Sequence, residues 1–372
     1  MTARPLAPGQ ATARRADASI VIVCFNPGDD LVGCIEALAP DRWAEVILVD
    51  NTCSDGSVEA AASRWKGLTI VRSTTNLGFA GGANLGARHA TGSSLIFLNP
   101  DTYAPRASLQ LLVDRLAEAP GVTGPLVHLQ RGDGDEAGAV VDVLGLPRGL
   151  PAGDGRPPLY VSGCCLATDR GCFEDVGGFD ERYFMFMEDV EYCWQVLRRG
   201  LSVSVVGDAI VEHLGGSATP GGYRARDDPE TLEISAARVL LRERNTTAML
   251  LACAPGRWLP LLMCGSVVRT TAFAWLLWRL GAWRSIGGLA RGLRDVARWA
   301  PGTLRRRWSP GVTRQAREVA WARVAKRPFL LDHVGTASHA RLVGARPIGA
   351  GARSWEDSVG EPRGHESTQE PS

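Results

Sequence analysis

The sequence contains no C-x-x-C pair, and its nine cysteines (24, 34, 53, 164, 165, 172, 193, 253 and 264) are odd in number. That argues against a zinc ribbon and against a secreted disulfide scaffold. Residues 1–18 carry Arg and Ala but no apolar run, so no secretory signal is predicted and a reducing cytoplasm is the expected compartment. No G-K-[ST] follows a glycine-rich stretch, which excludes a P-loop, and no dinucleotide fingerprint opens the chain. Internal repeats are absent too. Net charge is only +1, so the whole-chain balance points to no acidic partner. What is present is apolar content of 45% over 372 residues, enough for a sizeable folded core.

The near-neutral total hides an asymmetry. Between Arg238 and Arg327 stand 18 basic and 3 acidic residues, with seven of the eleven tryptophans (258, 275, 278, 283, 299, 308 and 321). Indoles favour the headgroup interface, so basic plus Trp-rich reads as a membrane-surface composition and not a nucleic-acid one.

Residues 1–17 read as a flexible arm. Four strands are predicted at 19–25, 45–50, 68–73 and 94–101. Helices are predicted from Asp29 to about Leu38, and from the CSDGS cap (53–57) to near Trp65. Strands alternating with helices of this length imply a parallel α/β sheet with helices on both faces. Residues 130–158, rich in Gly, Pro and Asp, read as a long surface loop. A strand at 159–167, a short helix with a turn at 169–181, a helix from Glu188 to Arg199 and a strand at 201–207 follow. Domain limits are set at 18–250 for the α/β unit, 251–330 for a basic helical region and 331–372 for a largely disordered tail.

Asn26, Asp50, Asn76 and Asp101 sit just past predicted strand ends, the edge where open α/β sheets bind ligands. A carboxylate there can hydrogen-bond a base or ribose or hold a cation; a helix cap is the alternative for Asp50. NLGFAGGANLGAR (76–88) is a glycine-rich turn entering a helix, where the backbone can approach an anionic ligand closely. Asp101, after an apolar strand and Pro100, suits Mg²⁺ or Mn²⁺ bridged to substrate phosphates, because such ions take few protein ligands. Glu188 and Asp189 are adjacent carboxylates behind YFMFM, a setting that pushes one pKa upward and makes a candidate general base. First-turn acids also stabilise helices, which is the competing reading. His213, in VEHLGGS, is a candidate metal ligand.

These strings, IVIVCFN, ILVDNTCSDGS, NLGFAGGANLG, LIFLNPDT, VSGCCLATDRGCFEDVGGFDERYFMFMEDVEYCW and VEHLGGS, stand in the order and spacing of the inverting family-2 glycosyltransferases. Over roughly residues 18–250 the chain resembles that family, and within it the bacterial rhamnosyltransferase-type enzymes of cell-surface glycan assembly. The resemblance implies a GT-A fold, a Rossmann-like and mostly parallel sheet flanked by helices. It implies nucleotide-sugar contacts from Asn26, Asp50, Asn76, Gly78 and Asp101, and a divalent metal (Mg²⁺ or Mn²⁺) on Asp101 and His213. Asp189 would be the catalytic base and Glu188 its partner toward substrate hydroxyls. The D-x-D motif is reduced here to Asn99-Pro100-Asp101, so one metal carboxylate is absent. Glu191 and Gln195 replace the usual Asp and Arg of the following helix, a change placed at acceptor recognition. The implied reaction moves a sugar, best guessed as L-rhamnose from dTDP-rhamnose, to a polyprenyl-diphosphate-linked or glycan acceptor at the cytoplasmic face of the membrane. Alternatives are a UDP-sugar transferase of other specificity, or a catalytically weakened sugar-nucleotide or glycan-binding relative.

In the basic region, 258–278 is long enough to span a bilayer but carries Arg269 near its middle. Arg284, Arg291, Arg294 and Arg298 share one helical face, opposite Ile286, Leu289, Leu293 and Val296. That pattern suits an amphipathic helix lying in an anionic interface.

Overall fold

The computed structural model describes residues 16–39, 43–130, 134–215, 233–234, 236–279, 281–308, 311–329 and 346–347. The chain alternates strands and helices through its first hundred residues: β1 (Ala16–Cys24), α1 (Asp30–Leu38), β2 (Trp43–Asp50), α2 (Ser57–Arg64), β3 (Leu68–Arg72), α3 (Gly78–His89) and β4 (Ser94–Leu98). Next come β5 (Thr102–Tyr103), α4 (Arg106–Glu118), β6 (Gly121–Leu129), β7 (Asp135–Val141), β8 (Pro147–Pro151), β9 (Cys165–Asp169), α5 (Arg170–Val176), α6 (Glu188–Arg198) and β10 (Ser202–His213). The main sheet runs β3-β2-β1-β4-β9-β6-β10-β5, with β7 and β8 branching from β6. β1 to β4 are mutually parallel, as expected; β9 is antiparallel to β4 and β6.

Side-chain alternation along β1 builds two layers. Ile20, Ile22 and Cys24 pack with Leu31 and Ile35 of α1, Val58 of α2 and Leu109 and Leu112 of α4. Val21 and Val23 face α3, together with Phe97, Phe173, Phe179 and Tyr192. The glycines of 78–86 serve this packing. A Cβ on Gly82 would stand 2.6 Å from Val23 and one on Gly86 2.3 Å from Val21, so their absence lets α3 lie directly on the sheet. The close approach expected toward a ligand is, at these two positions, an approach to β1.

Several expectations need correction. Residues 130–158 are not a loop throughout, because they contain the β7–β8 hairpin. Its Pro and Gly residues read as breakers, but an edge hairpin tolerates them. The strand expected at 159–167 is shifted to 165–169, because the backbone of 163–164 bonds to Asp189 and Asn99 instead of a ladder. The short helix with a turn read at 169–181 is present as α5, which ends at Val176 where Gly177 takes the left-handed cap. The last strand continues past 207 to His213 through an irregularity between Val206 and Ile210. Residues 102–129, unassigned from sequence, hold β5, α4 and β6. Ala16 and Asp17 of the expected arm begin β1; residues 1–15 lie outside the described residues, as does the expected tail apart from 346–347.

Four helices follow: α7 (Ala236–Cys253), α8 (Leu259–Arg279), α9 (Trp283–Arg307) and α10 (Arg314–Ala322). They pack onto the α/β unit. Trp194 of α6 stacks on Trp321 of α10 with ring centroids 6.3 Å apart. The buried Arg198 donates to the carbonyls of Ala252 at 2.9 Å and Arg307 at 2.6 Å. The limit drawn at residue 250 therefore falls inside α7.

Candidate active site

The ends of β1, β2 and β4 meet along one sheet edge, and the loops beyond them are held by side chains. Asp50 is buried, accepts the Cys53 N–H at 2.8 Å and pairs with Arg72, which also reaches Glu59. Asn26, with φ of 48°, accepts the Ser54 N–H at 2.7 Å. Both anchor the loop after β2. Asn51, not singled out from sequence, organises the next turn. Its side-chain amide donates to Asn76 Oδ1 at 2.8 Å and its oxygen accepts the Leu77 N–H at 2.8 Å. Asn76 in turn accepts the Gly78 N–H at 2.9 Å. Gly78 has φ of +68° and a Cβ there would lie 2.2 Å from the Phe184 carbonyl oxygen. That same oxygen accepts the Ala80 N–H at 3.1 Å, so the 76–78 turn is docked on the segment leading to Glu188.

Asp101 and His213 are brought together by backbone pairing. Thr102 stands opposite His213 in the β5–β10 ladder, and the Leu214 N–H donates to the Asp101 carbonyl at 3.0 Å. Asp101 Oδ1 and His213 Nε2 lie 3.4 Å apart, with side-chain exposures of 9% and 19%. A hard carboxylate beside an imidazole suits Mg²⁺ or Mn²⁺. Among the described residues no group of three or more His, Cys, Asp or Glu forms such a site. Two such side chains would leave coordination positions for phosphate oxygens.

Asp189 opens α6 and accepts the Gly163 N–H at 2.9 Å. The adjoining Cys164 carbonyl accepts the Asn99 N–H at 2.9 Å, so one side-chain and one backbone hydrogen bond tie the Asp189 carboxylate to the turn carrying Asp101. Glu188 is buried, and its Oε2 has no hydrogen-bond partner among the described residues. Burial, and then the Asp189 charge, hold the Glu188 carboxyl well above the ordinary carboxylate range; burial raises Asp189 as well.

Glu136 was missed from sequence because it lies in the presumed loop. On β7 its carboxylate occupies the space left by Gly149. Burial raises it first, with Asp189 adding in the same direction and His213 opposing. Burial pushes the Cys164 thiol up to about 12, and Glu136, Asp101 and Asp189 all add to that rise. Asp189 and His213 thus lie within electrostatic reach of Glu136, and Glu136, Asp101 and Asp189 within reach of Cys164.

The segment before Glu188 is strained. Phe184, Phe186 and Met187 all have positive φ, between 63° and 71°. The fully buried Asn245 of α7 holds it, its amide donating to the carbonyls of Tyr183, Met185 and Phe186 at 2.8–2.9 Å. Arg244 donates to the carbonyls of Arg182 and Tyr183 and lies 4.4 Å from the Trp299 ring. Glu191, placed at acceptor recognition from sequence, is fully buried and bonded to Arg306 at 3.0 Å and Gln195 at 2.8 Å. It joins α6 to α9.

A sheet of this order, with acidic and amide groups at its carboxyl edge, has the arrangement of the GT-A class. The profile "Glycosyl transferase family 2" matches residues 19–175. The chain is 31% identical over 231 residues to an N-acetylglucosaminyl-diphospho-decaprenol L-rhamnosyltransferase of Mycobacterium tuberculosis, covering 52% of this chain and 75% of that protein. It is 23% identical over 202 residues to the low-salt glycan biosynthesis hexosyltransferase Agl10 of Haloferax volcanii, covering 50% and 64%. Among solved structures, GalNAc-T7 with UDP, GalNAc and Mn²⁺ superposes with a TM-score of 0.53 at 18% identity, over 65% of this chain and 49% of that one. S. aureus TarS 1-349 with UDP-GlcNAc gives 0.50 at 15%, over 83% and 93%. The chain belongs to glycosyltransferase family 2. It is a glycosyltransferase with a GT-A fold, similar to rhamnosyltransferases.

Proposed function

We propose that this enzyme is an inverting, divalent-metal-dependent hexosyltransferase acting on a polyprenyl-diphosphate-linked glycan at the cytoplasmic face of a membrane. L-Rhamnose from dTDP-rhamnose is the favoured donor; the activity named for the mycobacterial relative supports both sugar and lipid carrier. The observation that carries the reading is the approach of Asp101 to His213 at 3.4 Å, tied through Asn99, Cys164 and Gly163 to Asp189.

Asn26, Asp50, Asn76 and Gly78 line the edge assigned to the nucleoside and sugar. Asp101 and His213 would hold the cation, which supplies Lewis-acid relief of the charge growing on the leaving diphosphate. Asp189 takes the proton of the acceptor hydroxyl as that oxygen attacks the anomeric carbon from the face opposite the leaving group. One displacement inverts the centre, and no protein nucleophile is required. Glu188, whose carboxyl burial biases toward the protonated form, can in that form donate a hydrogen bond to a substrate hydroxyl while Asp189 accepts one.

The test is a donor panel with Mn²⁺ and a short-chain prenyl-diphosphate GlcNAc acceptor, read by nucleotide diphosphate release and by product NMR. Release that requires metal, greatest with dTDP-rhamnose and yielding the inverted anomer, supports the reading. A retained anomer, or full activity in chelator, overturns it.

A further inference from the structure

By length and composition, the Gly256–Arg279 stretch could cross a membrane. One face of α8, however, is built into the fold. Leu262, Ser266, Arg269, Thr270 and Leu277 are buried. Arg269 Nε donates to Glu243 at 3.2 Å, one Nη donates to Thr247 Oγ1 at 3.2 Å, and the other to the Leu144 carbonyl. Thr270 Oγ1 donates to the same Glu243 at 3.0 Å. The mid-helix cation that makes the segment a poor span is thus an internal tie to α7 and to the turn after β7. A crossing helix would have to give up these bonds and place Arg269 in hydrocarbon.

The other face of α8 is exposed. Leu261, Val268 and Trp275 are 63%, 68% and 57% exposed; Cys264 and Trp278 are exposed between and beyond them. They recur at helical spacing from Leu261 to Trp278, about 26 Å of helix at about 1.5 Å per residue. No charged side chain points from that stripe, since Arg269 alone is charged between Arg257 and Arg279. The stripe ends in an aromatic and basic corner. Trp278 and Trp283 meet edge-on at 6.4 Å, and the Arg279 guanidinium lies 5.2 Å from the Trp275 ring. Arg284, Arg291, Arg294 and Arg298 of α9 are exposed. An uncharged stripe with indoles and arginines at its end fits the boundary between anionic headgroups and acyl chains.

We propose that α8 docks on an anionic phospholipid bilayer lying in its plane, with Leu261, Cys264, Val268, Trp275 and Trp278 toward the lipid, and does not cross it. This rests on the membrane reading given above and deepens it. Held this way, α8 is bonded to α7, whose Asn245 grips the catalytic segment, so the membrane-contacting surface and the catalytic carboxylates belong to one packed unit.

The test uses the full chain and vesicles of phosphatidylcholine with phosphatidylglycerol. Nitroxides are placed at Cys264 in the native sequence and, in a Cys264→Ser background, at Leu261→Cys, Val268→Cys and Trp275→Cys. Bilayer depth is read by paramagnetic accessibility. The expected result is the same shallow depth at all four positions, about 5–10 Å below the headgroups. Val268→Glu should weaken vesicle binding at least 10-fold while turnover of a soluble short-chain acceptor is unchanged. Depth that changes steadily from 261 to 275 through the bilayer centre overturns the in-plane placement while leaving membrane association intact. Absence of vesicle binding by the native chain overturns both. Immobilised labels without lipid, with a dimer in sedimentation, would assign the stripe to a second copy of the chain and overturn the proposal.

Discussion

The His213 imidazole lies 3.4 Å from the Asp101 carboxylate, although the two stand 112 positions apart in the chain. The β5–β10 pairing fixes this approach, so it does not depend on a mobile loop. His213→Ala should therefore weaken metal-dependent donor binding without unfolding the sheet. A rise of about 10–100-fold in the Mn²⁺ concentration giving half-maximal activity is expected. Mn²⁺ titration of activity, with a thermal melt as control, checks it.

The Glu188 and Asp189 carboxyls are both raised, mainly by burial. A general base must be deprotonated, so the acid limb of the kcat/KM profile should lie above the ordinary carboxylate range near 4. It belongs to the pair and not to one residue. For stability the sign is opposite. A carboxyl raised in the folded state holds a proton that the unfolded chain has lost, so folding stability falls as pH rises from the unfolded value toward the raised one. A pH–rate profile beside a pH–melting profile should show activity rising across the window in which stability declines.

Asn245 satisfies three carbonyls of a segment strained at Phe184, Phe186 and Met187. Removing its amide takes the side-chain donor from the Met185 and Phe186 carbonyls, while Tyr183 keeps Arg244, at a cost of roughly 1–3 kcal/mol. Asn245→Ala is expected to lower kcat at least 10-fold with donor KM within about 2-fold. It should also shift the acid limb downward, since a relaxed segment hydrates Asp189. Loss of stability alone, with an unmoved pH profile, would limit Asn245 to a structural role.

Gly78 meets the Phe184 carbonyl where any Cβ would collide, and its φ is +68°. Gly78→Ala should destabilise by about 1–3 kcal/mol and reduce turnover through the same segment. Gly28 also has a positive φ but faces open space, so Gly28→Ala should lose only the conformational part. Chemical denaturation of the two variants gives the comparison.

The first four strands and their helices were legible because apolar runs, caps and turns recur there with little long-range help. Asp50, Asp101 and Asp189 were legible as carboxylates at strand or helix ends. Glu136 was not, because its strand is an edge hairpin of Gly- and Pro-containing sequence whose pairing depends on β6. Asn51 and Asn245 act by bonding backbone groups of distant loops, and no local pattern marks that. The glycines of α3 looked like a ligand cradle; two of them are spacers against Val21 and Val23, a contact visible only once the sheet exists. Arg269 looked like a flaw in a membrane span until Glu243, far off in sequence, supplied its partner.

The most direct test of the account is Asp189→Asn, assayed for turnover and for nucleotide diphosphate affinity in Mn²⁺. A fall in kcat of about 10²–10⁴-fold, with affinity within about 2-fold of the native protein, is expected if this carboxylate takes the acceptor proton while the cation pair holds the donor. Turnover close to that of the native enzyme would contradict it.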